Sequence, residues 1–233
     1  MNSLFIGIEW LVEQSNWTSS SGIGFRVGQH LGITAMVMTM AMVIALPIGL
    51  VIGHLHRGAG VVGGITGAAR AVPTLGLLTL FGLWLGIGLP APVLALTVLA
   101  IPSLLAGAYA GIQAVPPAVT DAGRAMGMSE WYLIWHVEIP LAAPVIIGGI
   151  RAATLQVVST ATLAAYVADS GLGRYLFIGL KTRDYAQMLG GALLVITLAL
   201  ILELVLATVQ RLVLRRVTKP QLAKNRYHWR NTS

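Results

Sequence analysis

The sequence predicts an all-α membrane protein of about five transmembrane helices, with one long polar connection between the third and fourth. Three observations predict it. Hydrophobic residues make up 56% of the 233 and charged residues only 10%, at a mean hydropathy of +0.81, too little polar surface to cover a water-soluble globule. Five apolar segments reach or approach the roughly 20 residues needed to cross about 30 Å of hydrocarbon. Residues 120–141 read TDAGRAMGMSEWYLIWHVEIPL, a mostly polar, Gly- and Pro-punctuated stretch far longer than a simple link between two spans requires.

Taken in order, residues 1–30 form an N-terminal segment. Met1 to Ser21 has no basic start, carries Glu9 and Glu13, and holds only a short apolar run from Leu4 to Ile8, so it does not read as a cleavable signal. Residues 6–17 are expected as an interfacial helix on the outer face, with Trp10 and Trp17 at headgroup level. The apolar domain, 31–214, then holds the spans. The first, 31–53, has no charge; the second, 61–89, carries Arg70 in a small-residue approach; the third, 92–112, is again uncharged. The fourth, 143–168, has Arg151 in its first turns, and the fifth, 188–214, is interrupted by Glu203. All five must be helices, because unpaired backbone groups cannot face lipid and the alternation of a membrane barrel strand is absent.

The net charge of +7 is unevenly placed. Arg211, Arg215, Arg216, Lys219, Lys224, Arg226 and Arg230 follow the last span, so 215–233 is expected as a basic cytoplasmic tail. This is a membrane flank rather than a groove for nucleic acid. With five spans the N-terminus is then outside and the C-terminus inside. Eleven of the fifteen Lys/Arg residues fall on the inner side, and Arg26, Arg174, Lys181 and Arg183 outside, as the positive-inside rule requires. No cysteine is present, which excludes disulfides, thiolate metal sites and Cys nucleophiles. His30, His54, His56, His136 and His228 are too scattered for a metal cluster and read as interfacial or loop residues.

Within the connection, 116–140, Pro116 and Pro117 stop the third span, and Thr120 with Asp121 offers oxygens to cap a new short helix. Asp121, Ala122, Arg124 and Ala125 fall in its first turns. Gly127 ends or bends it, since glycine accepts a left-handed backbone without steric cost. Ser129 caps a second helix whose Trp131, Leu133, Ile134 and Val137 lie toward the membrane, and Pro140 closes it before the fourth span.

This order of helix, Gly bend, helix and Pro resembles the cytoplasmic EAA loop of binding-protein-dependent ABC transporter permeases, which have a MetI-like fold. Asp121 stands where that family has Glu, Ala122 and Gly123 where it has two alanines, with Arg124 following; Gly127 matches the shared glycine, and Val137-Glu138-Ile139-Pro140 the ending. The runs AVPTL (71–75), GIGLPAPVLALTVLAIPSL (86–104), EIPLAAPVIIGGIRAATLQ (138–156) and ATLAAYVADSGLGRYLFIGL (161–180) resemble the osmoprotectant branch, which handles glycine betaine, carnitine, choline or proline betaine. The likeness covers residues 31–213.

The resemblance implies a non-catalytic membrane subunit of the bacterial cytoplasmic membrane. In such a system the loop, here Asp121, Ala122, Gly123, Arg124, Gly127, Glu138 and Pro140, seats on a cytoplasmic ABC ATPase dimer. A second permease copy or a related permease completes the pathway, and an extracytoplasmic binding protein delivers the solute. The sequence has no GxxxxGK[ST] phosphate cradle, so ATP and Mg²⁺ belong to the partner ATPase and no cofactor is expected in this chain. A quaternary ammonium cargo is best held by aromatic faces, and Trp84, Tyr109 and Tyr166 are the candidates within the spans. Alternatives are a permease for another small solute, such as an amino acid or anion, and a secondary transporter working alone. The latter calls for paired internal repeats or several mid-span charges. Two further expectations concern packing. Glu203 pairs with Arg151 or a tail arginine, or else lines the pathway. Gly49, Gly53, Gly63, Gly64 and Gly67, with Pro47, Pro73 and Pro102, either pack helices closely or let them rock.

Overall fold

A computed structural model describes the backbone of residues 2–228 and the side chains of 4–69 and 71–215. The expected placement of Arg70 and of the basic residues from Arg216 to Arg230 on an inner membrane flank lies outside the described side chains. Among the described residues every regular element is a helix. They are α1 (Asn2–Val12), α2 (Ser15–Thr18), α3 (Ile23–His54), α4 (Ala59–Ala71), α5 (Thr74–Leu85), α6 (Pro90–Gln113), α7 (Pro117–Ala125), α8 (Glu130–Leu133), α9 (Ile139–Thr160), α10 (Ala164–Ala168), α11 (Gly173–Thr182) and α12 (Tyr185–His228). A π turn (Ile134–Glu138) joins α8 to α9, and a 3₁₀ turn (Ala161–Leu163) joins α9 to α10.

Four helical stretches are long and apolar enough to cross a bilayer: Ile23–His54, Pro90–Gln113, Glu130–Ala168 and Tyr185–Arg215. A fifth is formed only if α4 and α5 count together. They meet at a bend of 83°, so the continuous second span expected over 61–89 is broken. Pro73 is the cause: it forces Val72 out of the helical region (φ −74, ψ 120) and has no N–H to continue the ladder. At 13 and 12 residues, each half is about 20 Å long and too short to cross alone.

The first span begins at Ile23, eight residues before the expected start. Arg26, Gln29 and His30 make that stretch look like a solvated flank, yet Arg26 and His30 are buried and bonded inside the protein. Arg26 Nη1 donates to Asp169 O (2.7 Å) and Gln29 Oε1 (3.0 Å). His30 Nε2 lies 2.9 Å from Val158 O, and its Nδ1 accepts from Leu172 N–H at 3.4 Å. His30 is therefore a core residue, not an interfacial one. The expected interfacial helix over 6–17 is also revised. It divides into α1 and α2, and Trp10 turns inward, edge-on to Tyr175 at 5.0 Å, where α1 packs on α12. Trp17 stays half exposed and donates its ring N–H to Leu11 O at 2.7 Å.

The centre is a layer of α3, α6 and α9. Its core joins Val37, Ala41 and Ala45 of α3, Leu96, Ala100 and Leu104 of α6, and Ala153 and Val157 of α9. Lipid tails are as apolar as leucine, so burial alone does not drive these helices together; close backbone approach does. At the α6–α9 crossing a Cβ added to Gly107 would lie 2.7 Å from Gly149 Cα, and the reverse is also true. On the other side of α6, Gly49 faces Ala108 and Gly53 faces Ile112 with equally little room. These two are packing glycines. Gly63, Gly64 and Gly67 on α4 differ, because a Cβ there would meet nothing within 4 Å.

The outer layer consists of α1, α11 and α12. It is tied to α9 by Arg151, whose guanidinium grips both carboxylate oxygens of Glu203, with Nε–Oε2 at 2.7 Å. Arg151 Nη1 also donates to Gln210 Oε1 (2.9 Å), and Gln210 Nε2 donates to Pro144 O (3.0 Å). Glu203 is thus the partner of Arg151, a bidentate pair that holds α12 against α9.

Two stability predictions follow from these contacts. Gly107→Val is expected to cost about 1–3 kcal/mol of folding stability by overpacking. Gly63→Val should change it by less than about 0.5 kcal/mol, both read by thermal unfolding in detergent. Removing one partner of the Arg151–Glu203 pair leaves a lone charge in an apolar setting, so Arg151→Leu or Glu203→Leu alone should lower the midpoint more than the two together.

Candidate functional site

The 116–140 segment is an ordered, three-part unit. α7 begins at Pro117, three residues earlier than expected, with Pro116 at the N-cap and no side-chain cap. Proline suits that first position, since its missing N–H has no partner there anyway. The expected capping by Thr120 and Asp121 is corrected accordingly. Thr120 is buried and donates to Pro117 O at 2.8 Å, and Asp121 lies on the exposed face.

α7 ends as the glycine demands. Gly127 sits at φ 82, Met128 N–H donates to Gly123 O (3.1 Å), and Gly127 N–H donates to Arg124 O (2.9 Å). These two bonds are the Schellman pattern, which satisfies the last carbonyls of a helix by reversing the chain through one left-handed residue. Ser129 then caps α8, its Oγ accepting from Tyr132 N–H at 3.3 Å. Beneath the reversal Gly123 is packed so tightly that an added Cβ would meet Leu133 Cδ1 at 2.5 Å, and Leu133 is fully buried. Glycine at 123, where the resembling family has alanine, leaves the room that the Leu133 side chain occupies. Its opposite face, with Ala118, Asp121, Ala122, Ala125 and Met126, is exposed.

Pro140 does not close the second helix. The chain is helical without interruption from Glu130 to Ala168, and the proline is accommodated by the π turn before it. There Ile139 N–H reaches back to Ile134 O, a wider turn that makes room for a ring with no N–H to give. The π turn also changes phase. Glu130 and Glu138 are eight residues apart, about 80° out of register in a regular α-helix, and the wider turn brings both carboxylates onto His54. Of the four residues expected to lie toward the membrane, Leu133 and Ile134 are instead buried within the protein and Val137 is partly buried, while Trp131 is mostly exposed, with Trp135 edge-on beside it at 5.8 Å.

His54 is the residue that the sequence reading missed. The last residue of α3, it stands between the two carboxylates, Nδ1 2.8 Å from Glu138 Oε2 and Nε2 3.1 Å from Glu130 Oε2. Its side chain is 9% exposed and that of Glu138 only 1%. Glu130 in turn receives Arg124, with Nε–Oε1 at 2.9 Å and Nη2–Oε2 at 3.1 Å, while Arg124 Nη1 reaches Asp121 at 3.2 Å. The Glu130 carboxylate, followed by that of Asp121, holds the Arg124 guanidinium above its ordinary value. Of the loop residues singled out from sequence, Asp121, Arg124 and Glu138 therefore belong to one connected polar run, through His54 and Glu130. Ala122, Gly123, Gly127 and Pro140 shape the backbone around it. No local signal marked His54; it reads as the first polar residue after an apolar run.

The three aromatic candidates are not gathered into one cage. Tyr109 is partly buried on α6, its backbone beside Gly49 and Gly53, next to the end of α3 that carries His54. Tyr166 on α10 is 60% exposed and pairs with Phe177 at 5.8 Å, three residues from the Asp169 carbonyl that holds Arg26 at the opposite end of α3. Trp84 on α5 is 75% exposed and lies 6.2 Å from Phe81. Arg26 and Gly49, the α3 residues beside these two regions, are 23 positions apart on one helix, about 35 Å, so the surroundings of Tyr109 and Tyr166 are separate.

Comparison with known proteins agrees with this architecture. The chain is 35% identical over 194 residues to the glycine betaine/carnitine/choline transport system permease protein OpuCB of Bacillus subtilis, covering 83% of this chain and 89% of that one. It is 33% identical over 194 residues to the choline transport system permease protein OpuBB of the same organism, at the same coverage. The osmoprotectant import permease protein OsmW of Salmonella typhimurium is 32% identical over 154 residues, 63% of this chain and 72% of that one. Among solved structures, the membrane chain of the MetNI methionine ABC transporter in an inward-facing conformation superposes with a TM-score of 0.71 at 23% identity, over 82% of this chain and 95% of that one, a likeness of fold. Residues 45–219 match the family described as binding-protein-dependent transport system inner membrane component; with three quarters of its length inside that match, the chain belongs to this family of multi-pass permeases.

Proposed function

We propose that the chain is the membrane subunit of an ATP-driven importer for a small osmoprotectant, namely glycine betaine, choline, carnitine or proline betaine. It lies in the bacterial cytoplasmic membrane with its N-terminus outside, and the 116–140 segment and C-terminus inside. A second permease copy or a related permease completes the pathway. An extracytoplasmic binding protein supplies solute, and a cytoplasmic ABC ATPase dimer, which holds the ATP and Mg²⁺, supplies the work.

The observation that carries this reading is the construction of α7. One face is bonded down through Gly123, Leu133 and Arg124; the other, with Ala118, Asp121, Ala122, Ala125 and Met126, is left open at the end of the bundle. A short helix stiffened by a Schellman turn and anchored to two spans suits a lever seated in a cleft. Closure of an ATPase dimer on it becomes a coupling free energy between nucleotide state and the packing of the spans. The solute assignment rests on the relatives' printed substrates together with the likeness over most of both chains. Selectivity then belongs mainly to the binding protein, consistent with aromatic candidates that are spread along the chain rather than gathered.

The direct test is reconstitution in liposomes with the cognate ATPase and binding protein. ATP-dependent uptake of labelled glycine betaine is expected, competed by choline, carnitine or proline betaine but not by amino acids or anions. Competition by an amino acid alone would move the assignment to another solute class, and uptake without the ATPase would remove the importer reading.

Gly127→Val offers a second test. At φ 82 a β-branched residue carries a left-handed penalty of roughly 1–2 kcal/mol, which loosens the turn without touching any span. Membrane insertion should be retained while solute moved per ATP falls about tenfold, within the range of ordinary allosteric couplings. A wild-type ratio in this variant counts against the lever.

A further inference from the structure

We propose that His54, as an imidazolium clamped between Glu130 and Glu138, is the positioning residue that delivers movement of the 116–140 segment to the membrane helix α3. The inference rests on the importer reading above and adds to it a specific residue, a specific route and a proton.

The route is continuous. From Asp121 to Arg124, Glu130, His54 and Glu138 there are four contacts, none longer than 3.2 Å. The first two side chains belong to α7, Glu130 opens α8, Glu138 closes the π turn, and His54 is the last residue of α3. Just before it, Gly53 O accepts from Gln113 Nε2 of α6 at 2.9 Å, so a pull on His54 is felt by both central helices. α3 then runs the length of the bundle to Arg26, which is bonded to Asp169 O.

The proton follows from donor counting. A carboxylate only accepts, and neutral imidazole has one N–H; only the imidazolium can donate from both nitrogens. With both ring nitrogens against carboxylate oxygens, a neutral ring leaves one bare lone pair facing a negative charge. The charged neighbours point the same way. Just after α3, His56 Nδ1 lies against the His54 carbonyl and Arg57 is exposed. On α7 stand Asp121 and Arg124; α8 and the π turn hold Glu130, His136 and Glu138, and His136 Nδ1 lies against Tyr132 O. Two carboxylates, those of Glu130 and Glu138, face the ring, and Asp121 is joined to it only through Arg124 and Glu130.

The test uses the complete assembly, with permease, ATPase and binding protein in liposomes, and reads labelled glycine betaine taken up per ATP hydrolysed. His54→Ala should lower this ratio about tenfold while the ATPase still copurifies and hydrolyses ATP. His54→Arg, which keeps charge and donors toward both carboxylates, should restore most of it, a rescue that refilling the space alone does not give. Should His54→Ala fail to assemble, Glu130→Gln decides. Glu130 is 56% exposed at its side chain, so the fold tolerates the change. An amide at 130 gives up the charge that both Arg124 and His54 hold, so the ratio should fall in the same direction. A wild-type ratio in His54→Ala or Glu130→Gln, or no rescue in His54→Arg, would overturn the proposal. A wild-type assembly that takes up solute without ATP removes the importer reading and this inference with it.

Discussion

The rest of the structure depends on the pairing of α3 with the long helix running from α8 to α10. The two are antiparallel, and polar side chains clasp them at both ends. At one end Arg26 holds the Asp169 carbonyl and His30 faces the Val158 carbonyl; at the other, His54 meets Glu138. In a medium that offers no competing hydrogen bonds, such groups must find partners inside the protein or leave the membrane. They fix the register of two long apolar helices that would otherwise slide, because leucine on leucine gains little over leucine on lipid.

Between the clasps, α6 is pressed against both neighbours by small residues. The Gly107–Gly149 crossing and the approaches at Gly49 and Gly53 leave no room for a methyl group, so α3, α6 and α9 have the character of one block rather than three rods. The outer layer is attached differently. α12 is held to α9 by Arg151, Glu203 and Gln210, and α1 to α12 by Trp10 lying over Gly190. The polar attachments can exchange partners or hydration while the glycine crossing cannot, so relative motion between layers is easier than motion within the central block.

Much of this was legible in the sequence because it rests on local chemistry. Apolar lengths marked the spans, Gly127 marked a left-handed helix end, Ser129 marked a cap, and Glu203 read as calling for a cation, Arg151 or a tail arginine, because a lone charge in a span is costly. What was not legible depends on partners far away in the chain. Arg26 and His30 looked like a solvated flank until Asp169 and Val158, more than a hundred residues on, supplied acceptors. Pro140 read as a stop because a π turn, which absorbs a missing N–H, has no strong sequence mark. His54 carried no signal at all, since its meaning comes from two glutamates brought into phase by that same turn. Thr120 and Asp121 misled because a cap-forming residue type does not reveal that the preceding proline has already opened the helix.

The contacts around α7 differ in strength, and the difference decides how firmly the segment is held to the spans. The Arg124–Glu130 pair is exposed, and exposed ion pairs are weak in water and screened further by salt. It cannot by itself hold α7 against a load. The contact of Leu133 beneath Gly123 is buried, so neither water nor salt weakens it. Packing therefore supports the junction of α7 with α8 alongside the Arg124–Glu130 contact, which continues to His54. Beyond α8 the balance reverses: Glu138 is almost wholly removed from water, its contact with His54 is charge-assisted, and breaking it strands a carboxylate in the interior. The contacts from α7 to α8 are thus partly matters of shape, and those from α8 and the π turn to α3 are matters of charge.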